Sequence, residues 1–356
     1  MPSTYQIHGQ SSYSWQQPDG LKNLRLKDVP KPTEIPAGHA LVRIRAAALN
    51  ARDWMVIAHD PIYYGPNAPD LVPCADGAGE IEVAEEGSTW KPGDRVVISS
   101  TSWQDWSYRS DKKHIGYDAA KGKGSLSVQG TLREYAVIPD NELIKAPLHL
   151  TFEELASLPA AGATAIHALF HGPRSLKPGQ TVLAQGTGGV SCFVIQIAAA
   201  IGATVIATSS SDDKLAIAKK LGATHLINYR THPEWDKEVL ALTNGEGVDM
   251  VVDVAGSTTI QQSLAATKFG GLVPVVGILS ESKPSDIVPA LIFGAKTVYG
   301  TLMLTVKMLE ELCELFEAKK IRPQVGKVFE WEDAAGAFMA MQKGGTVGKV
   351  VIKVGY

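Results

Sequence analysis

Between Thr181 and Gly202 the chain runs from an apolar stretch (Thr181–Ala184) into a glycine cluster (Gly186, Gly188, Gly189). It leaves through an apolar helical stretch, Val190–Ala200. A second β-branched run, Thr204–Thr208, follows. The order predicted is strand, tight turn, helix, strand. Glycines in such a turn let backbone approach a pyrophosphate, and the helix start offers N–H groups and partial positive charge. Gly186, Thr187, Gly188, Gly189 and Val190 are therefore candidate cofactor-binding residues. The third glycine position holds Ser191. Its hydroxymethyl enters where helix and strand pack, so pyrophosphate geometry is the open part of this reading.

The next strand ends Ala207-Thr-Ser-Ser-Ser211 rather than in an acidic residue. Asp or Glu there would bind ribose hydroxyls, as NAD sites require. Ser209 and Ser210 leave room for a 2′-phosphate, and Lys214 supplies charge one turn into the following helix. Asp212 and Asp213 weigh the other way. They read as first-turn residues that complement the helix dipole, with a serine cap. The expected cofactor is NADPH. In an open parallel sheet ligands lie at strand carboxyl ends. Val254-Ala-Gly256 and Val276-Gly-Ile278 occupy such ends, adding Ala255, Gly277 and Ile278 to the cofactor candidates, although glycine there can serve only to turn the chain.

These residues need a scaffold, and the pattern supplies two. A chain of 356 residues suggests about two domains. Residues 1–150 read as strand-rich, with alternating segments Ala40–Ala46, Gly79–Ala84 and Asp94–Ile98 punctuated by proline and glycine. From about 151, strands (Thr181–Ala184, Thr204–Thr208, His225–Asn228, Met250–Val254, Leu272–Val276) alternate with helices (Val190–Ala200, Asp213–Leu221, Trp235–Thr243, Thr259–Ala265). That alternation predicts an α/β fold, a doubly wound parallel sheet with helices on both faces. Residues 295–356 carry two helices, Thr305–Ala318 and Glu332–Gln342, and two strands, and read as a return to the first domain. Net charge is −3, which gives no electrostatic case for nucleic acid or an anionic membrane. Three scattered cysteines (Cys74, Cys192, Cys313) form neither a disulfide framework nor a metal pair. There is no signal-peptide start and no apolar run of the roughly 20 residues that span a bilayer. A cytoplasmic location is expected.

Taken together, Leu49-Asn-Ala-Arg-Asp53, Asp76-Gly-Ala-Gly-Glu80, Trp90-Lys-Pro-Gly-Asp-Arg-Val96, Gly130-Thr-Leu-Arg-Glu-Tyr135, the glycine turn and Gly348-Lys-Val-Val351 resemble the zinc-independent branch of the medium-chain dehydrogenase/reductase family, the quinone oxidoreductase and enoyl reductase group. The resemblance covers nearly the whole chain. It implies a GroES-like catalytic domain (1–150 and 295–356) with a Rossmann domain (151–294) inserted. It places Asn50, Ala75 and Ala160 where zinc members carry ligands, and none suits zinc. The 95–130 stretch also lacks the cysteines of a structural zinc lobe, so no metal is expected. By the same resemblance Asn50 lines the cleft near the nicotinamide, Thr164 contacts the nicotinamide side, and Tyr64 could protonate an enolate. Tyr229 meets the 2′-phosphate, and Lys349 joins the cofactor set. Asn50, Thr164 and Tyr64 have plainer alternatives, in that order: an asparagine bonded to turn backbone, a helix hydroxyl bonded to its own backbone, a cleft-lining aromatic.

The resulting expectation is NADPH-dependent hydride transfer to a conjugated C=C or a quinone. The alternatives are a zinc-free alcohol dehydrogenase or carbonyl reductase, and an NADPH-binding protein without turnover. A small-molecule substrate and a homodimer are expected, the latter through the β-prone segment Thr297–Met303.

Overall fold

The structure, a computed structural model, describes residues 1–8, 18–61, 66–104, 122–281, 283–302 and 304–355. Tyr64 and Met303 lie outside the described residues. The chain divides into two compact units. One comprises residues 1–106, 110–163 and 304–356, the other 107–109 and 164–303.

The first unit begins with β1 (Ser3–Ile7) and β2 (Leu24–Asp28), an antiparallel pair. Next come β3 (His39–Ala48), the short helix α1 (Ala51–Ile57), β4 (Asp76–Ala84), β5 (Arg95–Ile98), β6 (Tyr135–Pro139) and β7 (Leu143–Lys145). The alternating segment at Ala40–Ala46 is the centre of β3, which pairs with both β4 and β6. Helices α2 (Phe152–Ala156) and α3 (Pro159–Ile166) close this stretch. Helix α2 starts at a reciprocal cap: Glu154 N–H donates to Thr151 Oγ1, and Glu154 Oε2 accepts from Thr151 N–H at 2.8 Å.

The second unit holds β8 (Thr181–Ala184), α4 (Gly189–Ala200), β9 (Thr204–Ser209), α5 (Asp212–Lys220), β10 (His225–Asn228), α6 (Trp235–Leu242), β11 (Val248–Val252), α7 (Ile260–Ala266), β12 (Thr267–Val275), α8 (Val288–Gly294) and β13 (Thr297–Gly300). All five strand runs and all four helical runs read from periodicity are present, with ends moved by a few residues. The sheet order is β10-β9-β8-β11-β12-β13 and every pairing is parallel. In chain order this is 3-2-1-4-5-6, the doubly wound arrangement, with its switch point between β8 and β11. Burial of both sheet faces explains why these strands read as continuous apolar runs. Leu183, Ile206, Val251 and Val273 are fully buried in its core.

The chain then returns to the first unit with α9 (Val306–Lys319), β14 (Val325–Phe329), α10 (Ala334–Lys343) and β15 (Lys349–Lys353). Strand β15 pairs with β3 and β14, so the tail completes a seven-stranded sheet. Trp331 pins the return. Its ring packs edge-on against Tyr5 at 4.9 Å, its Nε1–H donates to Ser3 Oγ, and its carbonyl accepts from Tyr5 Oη–H. No helix among the described residues is long and apolar enough to cross a membrane.

Candidate active site

Strand β8 ends at the switch point and delivers the chain to Gln185-Gly-Thr-Gly188. Gly186 has φ +72°, a left-handed conformation that glycine adopts without penalty. A Cβ placed on Gly186 or Gly188 would meet nothing within 4 Å. The glycines thus leave space above the turn rather than relieve a clash. The first N–H groups of α4 have no intrahelical acceptor. Ser191 resolves the departure from the glycine pattern. It is buried, and its hydroxyl donates to Gln185 O at 2.6 Å. The added oxygen bonds the strand end that the helix packs on, so it stabilises the turn from beneath.

The end of β9 is tied to the same turn. Gly186 N–H donates to Thr208 Oγ1, and the hydroxyls of Thr187 and Ser209 lie 3.3 Å apart. Ser211 caps α5 by accepting from Lys214 N–H. Ser210 and Lys214 are half-buried. No carboxylate lies within ion-pair distance of the Lys214 ammonium among the described residues. Asp212, the main acidic competitor, accepts from Asn228 Nδ2–H at 2.9 Å. Tyr229 is 41% exposed, and its N–H bonds Ser209 O. The predicted adenosine-side residues therefore converge on one corner of the sheet.

Periodicity missed the residue that organises the switch point. Asp253, just past β11, is fully buried. Its carboxylate accepts from Gln185 Nε2, from the N–H groups of Ala255 and Gly256, and from the hydroxyls of Thr259 and Ser263. Gln185 Oε1 in turn accepts from Val254 N–H. One carboxylate thus joins the glycine turn, the loop after β11 and the start of α7. Ala255 also accepts both the N–H and the hydroxyl of Ser280. Gly277 must be glycine, because a Cβ there would lie 2.3 Å from Val254 O. Ile278 follows, 52% exposed.

A second polar cluster lies within the first unit. Asn50 precedes α1, and its N–H donates to Asp53 Oδ2 at 2.8 Å. Its side-chain amide is held at both ends. Nδ2–H donates to Asp76 Oδ2 at 3.0 Å, and Oδ1 accepts from the Lys349 ammonium at 2.6 Å. Lys349, only 3% exposed, also pairs with Asp76 Oδ2 at 3.1 Å. The other Asp76 oxygen accepts from Ala160 N–H. Thus side chains 26 and 299 residues away in sequence hold the Asn50 amide, beside the local contact of its Nδ2 with Asp53 Oδ2 at 3.5 Å. Asp53 is fully buried beside Arg52, which reaches it at 3.0 Å. Burial, opposed by Arg52, pushes the Asp53 carboxyl up. Burial also pushes the Cys74 thiol well up. Thr164, half-buried on α3, belongs to the second unit rather than to this cluster.

Known proteins match this architecture over the whole chain. An alcohol dehydrogenase GroES-like domain family matches residues 36–148, and a zinc-binding dehydrogenase family matches residues 189–318. A zinc-type alcohol dehydrogenase-like protein of Schizosaccharomyces pombe is 35% identical, over 99% of this chain and all of that one. An alcohol dehydrogenase of Geobacillus stearothermophilus is 32% identical over 94% and 97%. Among solved structures, an NAD-dependent alcohol dehydrogenase superposes with TM-score 0.87 at 32% identity, over the full length of both chains. A Pseudomonas syringae quinone oxidoreductase superposes with TM-score 0.77 at 25% identity, over 99% of this chain and 100% of that one.

If Asp253 is the tie at the switch point, Asp253→Ala should lower the unfolding free energy by about 3 kcal/mol, since hydrogen bonds to a buried charge are lost and their donors left unpaired. Urea denaturation measures this, and a change under about 0.5 kcal/mol would contradict the role, being within surface-substitution range. With a GroES-like first unit, a doubly wound second unit and relatives that span it end to end, this chain belongs to the medium-chain dehydrogenase/reductase family of oxidoreductases.

Proposed function

We propose that the protein is an NADPH-dependent reductase of conjugated carbon–carbon double bonds or quinones that works without a metal. The observation that carries the coenzyme assignment is the corner beyond β9. Serines stand where an acidic residue would bind ribose hydroxyls, Lys214 has no ion-pair partner among the described residues, and Asp212 is occupied by Asn228. The turn fits a dinucleotide, because nothing fills the space above Gly186 and Gly188. Backbone N–H groups of Gly188, Gly189 and Val190 would hold the pyrophosphate. Lys214, Ser209, Ser210 and Tyr229 would hold the 2′-phosphate. When bound, the coenzyme supplies hydride. One relative is named as NAD-dependent, so the choice must be tested on this chain. Lys214→Ala should weaken NADPH at least about tenfold, 1.4 kcal/mol, and leave NADH within about twofold. Titration calorimetry reads both, and equal loss would remove the assignment.

The residues in the first unit do not fit zinc. Asn50, Ala75 and Ala160 offer one amide and two methyl groups, whereas zinc takes thiolate, imidazole or carboxylate donors. A cation already stands beside Asn50, the ammonium of Lys349. We therefore assign stabilisation of acceptor charge to side-chain dipoles. Lys349 bonded to Oδ1 polarises the amide and strengthens its two N–H donors; one is held by Asp76, and we assign the other, at a long 3.5 Å from Asp53 Oδ2, to an enolate oxygen. Asp76 fixes which end of the amide faces which partner. The relatives named alcohol dehydrogenases favour carbonyl chemistry as the second reading. Assays of NADPH oxidation with an enone, a quinone and a matched saturated ketone separate the two. We expect kcat/KM for the enone or quinone to exceed that for the ketone at least about tenfold. The reverse order supports the second reading, and tight NADPH binding without turnover supports a non-catalytic role.

We further propose a homodimer paired through β13, which lies at the edge of the second unit's sheet. An exposed edge strand is a template for association. Apolar side chains flank it, Leu302 at 58%, Ile292 at 68% and Phe293 at 83% exposure. Light scattering after size exclusion should give twice the 38.0 kDa chain mass. A monomer mass at micromolar concentration would contradict this.

A further inference from the structure

The amino ends of the second unit's strands enclose a cavity of about 620 Å³, at the opposite end of the sheet from the glycine turn. Ligand sites for small molecules fall in this range of size. Its floor is apolar: Leu176, Met250 and Leu272 are all nearly fully buried, and Phe170 is half-buried beside them. Three cations stand around it, Arg174, Lys177 and Lys268. The one acidic residue in the wall, Asp249, is already satisfied. It accepts from Gln180 Nε2 at 2.9 Å and Thr181 N–H at 2.8 Å, and pairs with the Lys268 ammonium.

The charges of Arg174 and Lys177 are not answered in this way. The Arg174 guanidinium donates to a neutral carbonyl, Gly270 O. No carboxylate lies within ion-pair distance of either side chain among the described residues. Both side chains are exposed. Two uncompensated cations over an apolar floor match a ligand with one charged and one apolar end. Placement in the loop between α3 and β8 also matters. A helical segment runs on from α3 through His171, and Arg174 and Lys177 follow it by three and six residues, past its last turn, where a helix end attracts a cation most strongly.

We infer that this cavity binds a small organic anion, a phosphate or carboxylate head on an apolar body, at a site separate from the glycine turn. Arg174 and Lys177 take the head, and Leu176, Met250 and Leu272 take the body. The probes are 2-naphthyl phosphate, 2-naphthoate and 2-naphthol, measured by equilibrium dialysis against the full chain. One equivalent of either anion should bind, at least tenfold more tightly than naphthol, and the preferred anion identifies the head group. Arg174→Glu combined with Lys177→Glu should weaken the anion at least tenfold, while Lys214→Glu should leave that equivalent in place. Circular dichroism melts establish that the variants fold. If the double variant does not, Lys177→Gln should still weaken the anion severalfold. Affinity unchanged in these variants, or loss only with Lys214→Glu, would overturn the inference. So would a wild-type protein that binds no anion, with the cations then serving only to offset nearby helix ends.

Discussion

Backbone amides can receive an anion only where side chains stay out of the way and no fixed negative charge competes. That constraint governs the second unit. The open space over Gly186 and Gly188 meets its first half. Its second half is met in part, since Asp253 is spent on five donors around the switch point and Asp212 accepts from Asn228. Facing outward at this corner are hydroxyl and N–H groups and the Lys214 ammonium, together with the exposed side chains of Asp212 and Asp213 at the start of α5. The same logic explains Ser191. A hydroxyl near a phosphate site could compete for the site's donors, but this one is buried and turned down onto Gln185 O.

The first unit uses charge differently. Taking ions out of water costs several kcal/mol each unless partners are well placed. Here Lys349 and Asp76 are both nearly inaccessible and directly paired, with Asn50 bonded to each. Such a triad holds one amide in one orientation, because a flip would set Nδ2 against the ammonium and Oδ1 against the carboxylate. A second buried pair, Lys123 with Glu142, lies in the same unit; burial pulls the Lys123 ammonium down against the pull of Glu142. Orientation of this polar group is thus achieved by burying opposite charges together.

Much of this was legible in the sequence where the signal is local. Apolar runs separated by glycine gave the five parallel strands and their helices, since each element's burial pattern is written in its own residues. The serine-rich end of β9 was readable for the same reason. Two things were not. Asp253 carries no local mark, and its importance comes from Gln185, 68 residues away, and from a loop folded around it. The Asn50 network joins three positions scattered across the chain, one of them in the tail strand β15, and only the tertiary fold brings them together. Lys349 was expected among the cofactor residues; within its own unit it holds Asn50 and Asp76. The cavity at the amino ends of the sheet likewise draws on loops that have no periodicity to read.

The most direct measurement is a crystal structure with NADPH bound. Density for the diphosphate is expected against the N–H groups of Gly188, Gly189 and Val190, and for the 2′-phosphate within hydrogen-bond distance of the Lys214 ammonium. Density for the diphosphate away from that turn, or a 2′-phosphate directed to solvent with Lys214 turned aside, would contradict it.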